Sequence, residues 1–292
     1  MESVYKRIHV VINPASGKDE PILNTLNRAF GQHDTQWSVS ITHKYGDATK
    51  QAKQAIKSGA DLVVGYGGDG TQHEIANAVL GTEAVMGILP GGTGNGFARE
   101  MGTPNTLEAA AEMLCTSRNT RQIDVAQAGN QYFIQRLYVG IEPEEQTSRE
   151  MKDKYGVLAY AISLKQQVQA TRLTDYQVVV DGKRETFRAA KLYVVNSGMM
   201  GTGLSITHSY SIDDGLLDAF VLSTENLATI KGAVDRFLHL NTGSASRYIR
   251  QCRRISIDTD PDQPVWADGE YIGRTPIDIR VLPGALTIVV PE

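Results

Sequence analysis

The sequence predicts an α/β plus β protein: an N-terminal domain with a parallel sheet, followed by a C-terminal, antiparallel, β-sandwich-like domain. Three observations predict it. Up to about residue 116, apolar runs of strand length alternate with helical patterns, which is the grammar of a parallel sheet with crossover helices. Three of the first four strands empty into a turn bearing glycine, serine or asparagine. From about Thr120 the pattern changes to short alternating strands separated by hairpin turns. The boundary falls between Thr116 and Gln122, so the domains are taken as 1–120 and 121–292.

In chain order, residues 8–12 form a short apolar strand, followed by Asn13-Pro14-Ala15-Ser16-Gly17-Lys18. A helix over 21–30 follows, with Ile22, Leu23, Leu26 and Phe30 apolar. Trp37, Val39 and Ile41 alternate with polar residues up to Thr42, and a second helix occupies 47–58. The run Leu62-Val63-Val64 opens the most informative stretch, Gly65-Tyr66-Gly67-Gly68-Asp69-Gly70-Thr71-Gln72-His73-Glu74, with a helix expected from Gln72 onward. Residues 84–89 make a further strand into Pro90-Gly91-Gly92-Thr93-Gly94-Asn95-Gly96, and Phe97 begins the next helix. Beyond the boundary, Ile123, Val125, Phe133, Leu137 and Val139 alternate around a Gly129-Asn130 turn. Strands are expected at 178–180, 192–195, 255–257, 264–266, 277–280 and 286–290, and helices at 156–170 and 227–240.

Three small-residue turns at the ends of parallel strands face one carboxyl edge, where α/β proteins bind ligands. Glycines let the main chain approach a bulky anion, and amides at a helix N-terminus favour phosphate. Asp69 is the exception, since a carboxylate among such amides repels phosphate. Its economical reading is a water-mediated hold on Mg²⁺ shared with the phosphates. The same residues also fit an ordinary Asp-Gly turn.

Composition narrows the classes. The 292 residues are 41% hydrophobic, 21% charged and 7% aromatic, which is a globular composition. A net charge of -4 and a pI near 5.9 argue against nucleic acid as the main partner. Cys115 and Cys252 are too few for a disulfide framework or a CxxC zinc site, so a cytoplasmic location is expected. The first residues contain no apolar signal region, and no apolar run reaches bilayer length, so no integral membrane segment is expected.

The motifs Asn13-Pro14-Ala15-Ser16-Gly17-Lys18, Gly67-Gly68-Asp69-Gly70-Thr71 with Glu74 and Asn77, Pro90-Gly91-Gly92-Thr93-Gly94-Asn95, Asp213-Asp214-Gly215-Leu216-Leu217-Asp218 and Asp268-Gly269-Glu270 occur here in register. With Tyr155-Gly156-Val157-Leu158-Ala159-Tyr160 and Leu282-Pro283-Gly284-Ala285-Leu286, the chain resembles the diacylglycerol kinase catalytic-domain superfamily, especially bacterial soluble lipid kinases related to sphingosine kinases. The resemblance implies ATP-dependent phosphorylation of a lipid hydroxyl with Mg²⁺, in a cleft between the domains.

By that resemblance, Asn13, Pro14, Ala15, Ser16, Gly17, Thr42, Gly68, Asp69, Gly70, Thr71, Gln72, His73, Glu74 and Thr93 form the ATP site, and Lys18 adds positive charge near the phosphates. Glu270 is the implied general base. Asp124 completes the acidic set around the catalytic Mg²⁺. Asp214, with the carbonyls of Ser211 and Leu216, ligates a second, structural Mg²⁺. One departure stands out: Gly96 follows Asn95 where the family commonly carries an acidic residue. Ile206-Thr207-His208-Ser209 replaces a more usual proline-containing loop, and His208 is left outside the site.

The expected partner is a lipid met transiently at a membrane surface, and Arg247, Arg250, Arg253 and Arg254 are candidates for docking anionic headgroups; they also fit a basic, aggregation-resistant strand edge. Two alternatives stay open. One is a soluble-substrate kinase resembling NAD kinases, and the other is a nucleotide- or lipid-binding protein impaired in catalysis by Gly96. The sequence is silent on oligomeric state and on the identity of the lipid.

Overall fold

The computed structural model describes residues 3–16, 19–33, 35–140, 173–197, 199–200, 204–205, 211–222 and 247–292. Gly17, Lys18, His208 and the helices expected at 156–170 and 227–240 lie outside the described residues. The strands are β1 (Arg7–Ile12), β2 (Gln36–Ile41), β3 (Leu62–Gly67), β4 (Val85–Pro90), β5 (Thr120–Ala128), β6 (Gln131–Phe133), β7 (Arg136–Val139), β8 (Thr174–Val180), β9 (Lys183–Ala189), β10 (Lys191–Val195), β11 (Met199–Met200), β12 (Leu204–Ser205), β13 (Leu217–Leu222), β14 (Arg247–Cys252), β15 (Arg254–Asp260), β16 (Pro264–Ala267), β17 (Glu270–Arg274) and β18 (Ile277–Val289). The helices are α1 (Ile22–Phe30), α2 (Asp47–Lys57), α3 (Asp69–Val79), α4 (Gly96–Glu100) and α5 (Leu107–Thr116). The chain divides into two compact units, the first comprising Met1–Val125, Met199–Ser205 and Pro283–Glu292, the second Ala126–Gly198 and Ile206–Leu282.

In the first unit β2, β1, β3 and β4 pair in that order, all parallel, and the last residues of β18 add a further parallel strand through Ile288 and Met86. Leu62 to Gly67 are all buried, as expected of a central strand covered on both faces. Leu26, Phe30, Leu107, Ala110, Ala111 and Leu114 join Val10, Val64 and Leu89 in one core, while α2 and α3 pack together. Helix α5 was not anticipated, although Thr106 caps it by accepting the Ala109 N–H (3.3 Å). Leu23 was expected on the apolar face of α1 but is 50% exposed, because Thr25, Leu26, Ala29 and Phe30 form its buried face.

In the second unit β14, β13, β10, β7, β16 and β17 form an antiparallel sheet. Strands β18, β15, β8 and β9 form another antiparallel layer. Leu137, Val139, Leu192, Val194 and Val265 from one meet Tyr176, Val178, Val180, Ile255, Ile257 and Ile279 from the other, so the core is that of a sandwich. The two strands expected at 277–280 and 286–290 are one continuous strand. Pro283 has no N–H to pair, Gly284 takes a left-handed φ of 58°, and its N–H donates to Asp124 Oδ1 at 2.8 Å. Among the described residues no helix is long and apolar enough to cross a membrane.

Candidate functional site

The three small-residue turns of the first unit are bonded to one another. Where β1 ends, the Asn13 N–H donates to the Tyr66 carbonyl (3.0 Å). Asn13 Oδ1 accepts the Ala15 N–H (3.0 Å), which rounds the short turn Pro14–Ser16, and Asn13 Nδ2 donates to Thr71 Oγ1 (3.0 Å). The first turn is thereby tied to the second. The second is tied to the third by the Gly91 N–H on the Gly67 carbonyl (3.1 Å) and by close backbone contact. A Cβ on Gly92 would lie 2.6 Å from Gly68 Cα, and one on Gly91 would lie 2.8 Å from the Tyr66 ring. Asn95, at φ 48°, accepts the Gly92 N–H (2.9 Å) and donates to the Gly92 carbonyl (2.6 Å). Its short side chain suits it to that left-handed position.

Helix α3 starts at Asp69, three residues earlier than expected, because Gly68 already has the extended backbone of an N-cap. Asp69 therefore sits in the first turn of α3 with its carboxylate turned to α4, where it accepts the N–H groups of Gly96 (3.1 Å) and Phe97 (2.9 Å). Those bonds use one lone pair on each oxygen, and a carboxylate has about four acceptor positions. An outer-sphere hold on a hydrated Mg²⁺ thus fits the donor set. Gly96 contributes to the assembly through its backbone, so its missing carboxylate does not remove that link.

The remaining residues of the expected ATP site divide into two groups. Pro14, Ala15, Gly70 and Thr93 are exposed, and Asn13, Ser16, Gly68 and Asp69 are half-buried. A Cβ on Gly70 would meet nothing within 4 Å. Thr71 and Gln72 are buried, Gln72 donating Nε2 to the Gly65 carbonyl (2.8 Å) behind the turn. Glu74 is buried too, and its Oε2 caps α2 by accepting the N–H groups of Ala48 (3.1 Å) and Thr49 (3.3 Å). Burial raises its pKa, opposed by those backbone bonds. His73 Nε2 lies 3.1 Å from Asn77 Nδ2. Thr42 is buried and donates its N–H to the Ile12 carbonyl (2.9 Å). Gln72, Glu74 and Thr42 hold the turns from within, while the exposed group forms their open face.

In the second unit, Asp268 has a positive φ of 47° and accepts three backbone N–H groups, from Ile134 (2.8 Å), Gln135 (3.0 Å) and Arg136 (2.9 Å). Gly269, at φ 94°, completes the tight turn, and half-buried Glu270 is the first residue of β17. Asp268 thus pins the turn that presents Glu270. Asp124 is 1% exposed and holds Gly284 as described. Ser211, Asp214 and Leu216 share one oxygen-rich turn: Asp214 Oδ1 accepts the Leu216 N–H (2.9 Å), and Ser211 Oγ donates to Asp213 Oδ1. That composition suits a hard cation. Among the described residues no three His, Cys, Asp or Glu side chains converge into a metal site.

Residues 7–128 match the diacylglycerol kinase catalytic domain, and residues 136–290 match the YegS C-terminal NAD kinase beta sandwich-like domain. The chain belongs to the diacylglycerol kinase catalytic-domain superfamily. Within this superfamily it is similar to the diacylglycerol kinase of Bacillus subtilis (strain 168), with 28% identity over 298 residues, covering 98% of this chain and 97% of that one. It is also similar to the diacylglycerol kinase of Staphylococcus aureus (strain MRSA252), at 25% identity with 98% and 93% covered. A crystal structure of a diacylglycerol kinase from Bacillus anthracis str. Sterne superposes with a TM-score of 0.79 at 26% identity, covering 100% of this chain and 99% of that one.

Sequence reasoning missed two contributors to this superfamily fold. Tyr66 lies beneath the third turn, 1% exposed, and donates its hydroxyl to Glu20 Oε1 at 2.6 Å. Burial and the Glu20 carboxylate raise its pKa. The only signal was a tyrosine inside a glycine-rich strand end. Asp268 was read only as part of a motif, and its three amide partners lie more than a hundred residues away in the chain.

Proposed function

We propose that this chain is an ATP-dependent kinase that transfers the γ-phosphate to a hydroxyl of a diacylglycerol- or sphingoid-like lipid. The observation that carries the reading is the bonded set of three turns in the first unit. Asn13 to Thr71, Gly91 to Gly67, and Asp69 to Gly96 and Phe97 hold the exposed backbone of the turns in place before any ligand arrives. Phosphoryl transfer depends mainly on such positioning and on charge stabilisation. Asn13 to Gly17, Gly68 to Thr71 and Thr93 cradle the phosphates, and Lys18 adds charge. Thr42, Gln72, His73 and Glu74 support the cradle.

Glu270 takes the proton of the lipid hydroxyl while the oxygen bonds to the γ-phosphorus and the bond to the ADP oxygen breaks. Mg²⁺, when bound, neutralises charge developing on the phosphates, with Asp69 and Asp124 as its acidic partners. Ser211, Asp214 and Leu216 are the proposed holders of a second, structural Mg²⁺. The protein meets its lipid transiently at a membrane surface and works in the cytoplasm.

The test is transfer of radiolabelled γ-phosphate from Mg·ATP to a panel of diacylglycerol, monoacylglycerol, ceramide, sphingosine, phosphatidylglycerol and NAD. Label is expected in one lipid, with Glu270→Gln lowering turnover about 10²–10⁴-fold and ATP affinity unchanged. The NAD kinase beta sandwich-like description of the matching C-terminal domain favours one second reading, phosphorylation of NAD. Label in NAD alone would establish that reading. ATP binding without transfer to any acceptor would leave a binding protein, and Gly96→Asp would then test whether the missing carboxylate is the cause.

A further inference from the structure

Helix α2 packs on β1, β3 and α3, while on the edge strand β2 Gln36 and Ser38 are exposed and Ser40 is half-buried. The result is a groove of about 830 Å³ along the sheet edge, within the size range of small-molecule sites. It belongs to none of the turns described above. Its floor is polar: His9 bridges two serine hydroxyls, with Nδ1 2.8 Å from Ser38 Oγ and Nε2 2.9 Å from Ser40 Oγ. Arg7 at one end and Lys50 on α2 line it, and among the described residues neither side chain has an ion-pair partner. Asp47, the acidic residue of the lining, already accepts the backbone N–H groups of His43 (3.0 Å) and Lys44 (3.1 Å). Gln51 donates Nε2 to the Ile41 carbonyl (2.8 Å) and leaves its buried Oε1 without a donor among the described residues.

We propose that this groove is an accessory site for a phosphate ester that also carries a hydroxyl group. Arg7 and Lys50 supply charge-assisted bonds to phosphate. A neutral His9 donates to one of its two serines and accepts the hydroxyl of the other, so the serine that accepts keeps its own O–H free and adds one neutral donor. The unfilled acceptor of Gln51 matches a ligand O–H, since a buried acceptor is costly to leave unpaired. Glycerol phosphate free in solution and the headgroup of phosphatidylglycerol share this chemistry.

The experiment follows the ring ¹⁵N resonances of His9 during titration with glycerol 3-phosphate, alongside vesicle sedimentation, for wild type and an Arg7→Gln/Lys50→Gln variant. Both substituted side chains are exposed, so the fold is expected to survive, and near-ultraviolet circular dichroism checks it. A saturable shift of the His9 signals, weakened about tenfold or more in the variant, is the expected result. If sedimentation with phosphatidylcholine vesicles containing phosphatidylglycerol falls in the variant as well, the source is the lipid headgroup; if sedimentation is unchanged, it is the free ester. His9 signals that do not saturate, or that respond identically in both proteins, overturn the proposal when sedimentation is also identical. None of these readouts depends on kinase activity.

Discussion

Gly70 and Gly92 separate two demands made on the same glycine-rich turns. Gly92 is required by packing, because its Cβ would meet the Gly68 main chain, which cannot move aside without opening the turn. Gly92→Ala is expected to lower stability by ~2 kcal/mol, read as a lower urea midpoint with an unchanged slope. Gly70 has open space above it and lies in the first turn of α3. Gly70→Ala should therefore keep or slightly raise stability, since alanine favours helix by up to ~1 kcal/mol. The same methyl would obstruct phosphates lying on the open face, so calorimetry should show weakened Mg·ATP binding. Unchanged affinity would move the phosphates away from Gly70.

At the level of elements, carboxylates cap segments that are distant in sequence. Asp268 satisfies three N–H groups, those of Ile134 and Gln135 between β6 and β7 and of Arg136 at the start of β7. Asp268→Ala leaves them without that acceptor and is expected to cost ~3 kcal/mol, whereas Glu270→Gln should leave stability unchanged while lowering turnover. Glu74 caps α2 while buried, and burial holds its pKa above the ordinary glutamate value. A carboxyl whose pKa is raised on folding binds its proton more tightly in the folded state. Its contribution to stability is thus full below the unfolded pKa and falls as pH rises through the folded one. Glu74→Gln keeps a carbonyl acceptor for Ala48 and Thr49 and carries no charge. Chemical unfolding across the mildly acidic range should accordingly show a flatter loss of stability with rising pH than in wild type.

At the level of the whole molecule, each unit contains one buried cysteine, Cys115 in α5 and Cys252 at the end of β14. Burial, the larger cause in both, pushes the two thiols up to about 12; the Glu112 carboxylate adds to it for Cys115, and those of Asp181 and Asp218 for Cys252. A protonated, enclosed thiol is a poor nucleophile. Both should resist a thiol reagent at pH 8 in the native protein. Under increasing denaturant each reports the opening of its own unit, so peptide mapping after pulse labelling should show two separate midpoints if the units unfold independently. Coincident labelling would show one cooperative transition.

The α/β order of the first unit, the sandwich of the second and the positions of the three turns were all legible in the sequence, because strand and helix periodicities and glycine-rich turns are local properties. Residue identity also marked Asn13, Asp69 and Glu270 as worth following. What local pattern left open was the direction in which each side chain is used. Glu74 and Gln72 share a helix with Asp69, yet they brace the fold while Asp69 joins two turns, a distinction set by partners brought together only when the sheet closes. Pro283-Gly284 read as a break, but Asp124, 160 positions away, accepts the orphaned Gly284 N–H and carries β18 through. Periodicity decides which segments become strands and helices; long-range hydrogen bonds decide which of their polar groups are held inside the fold and which remain on the open faces of the turns.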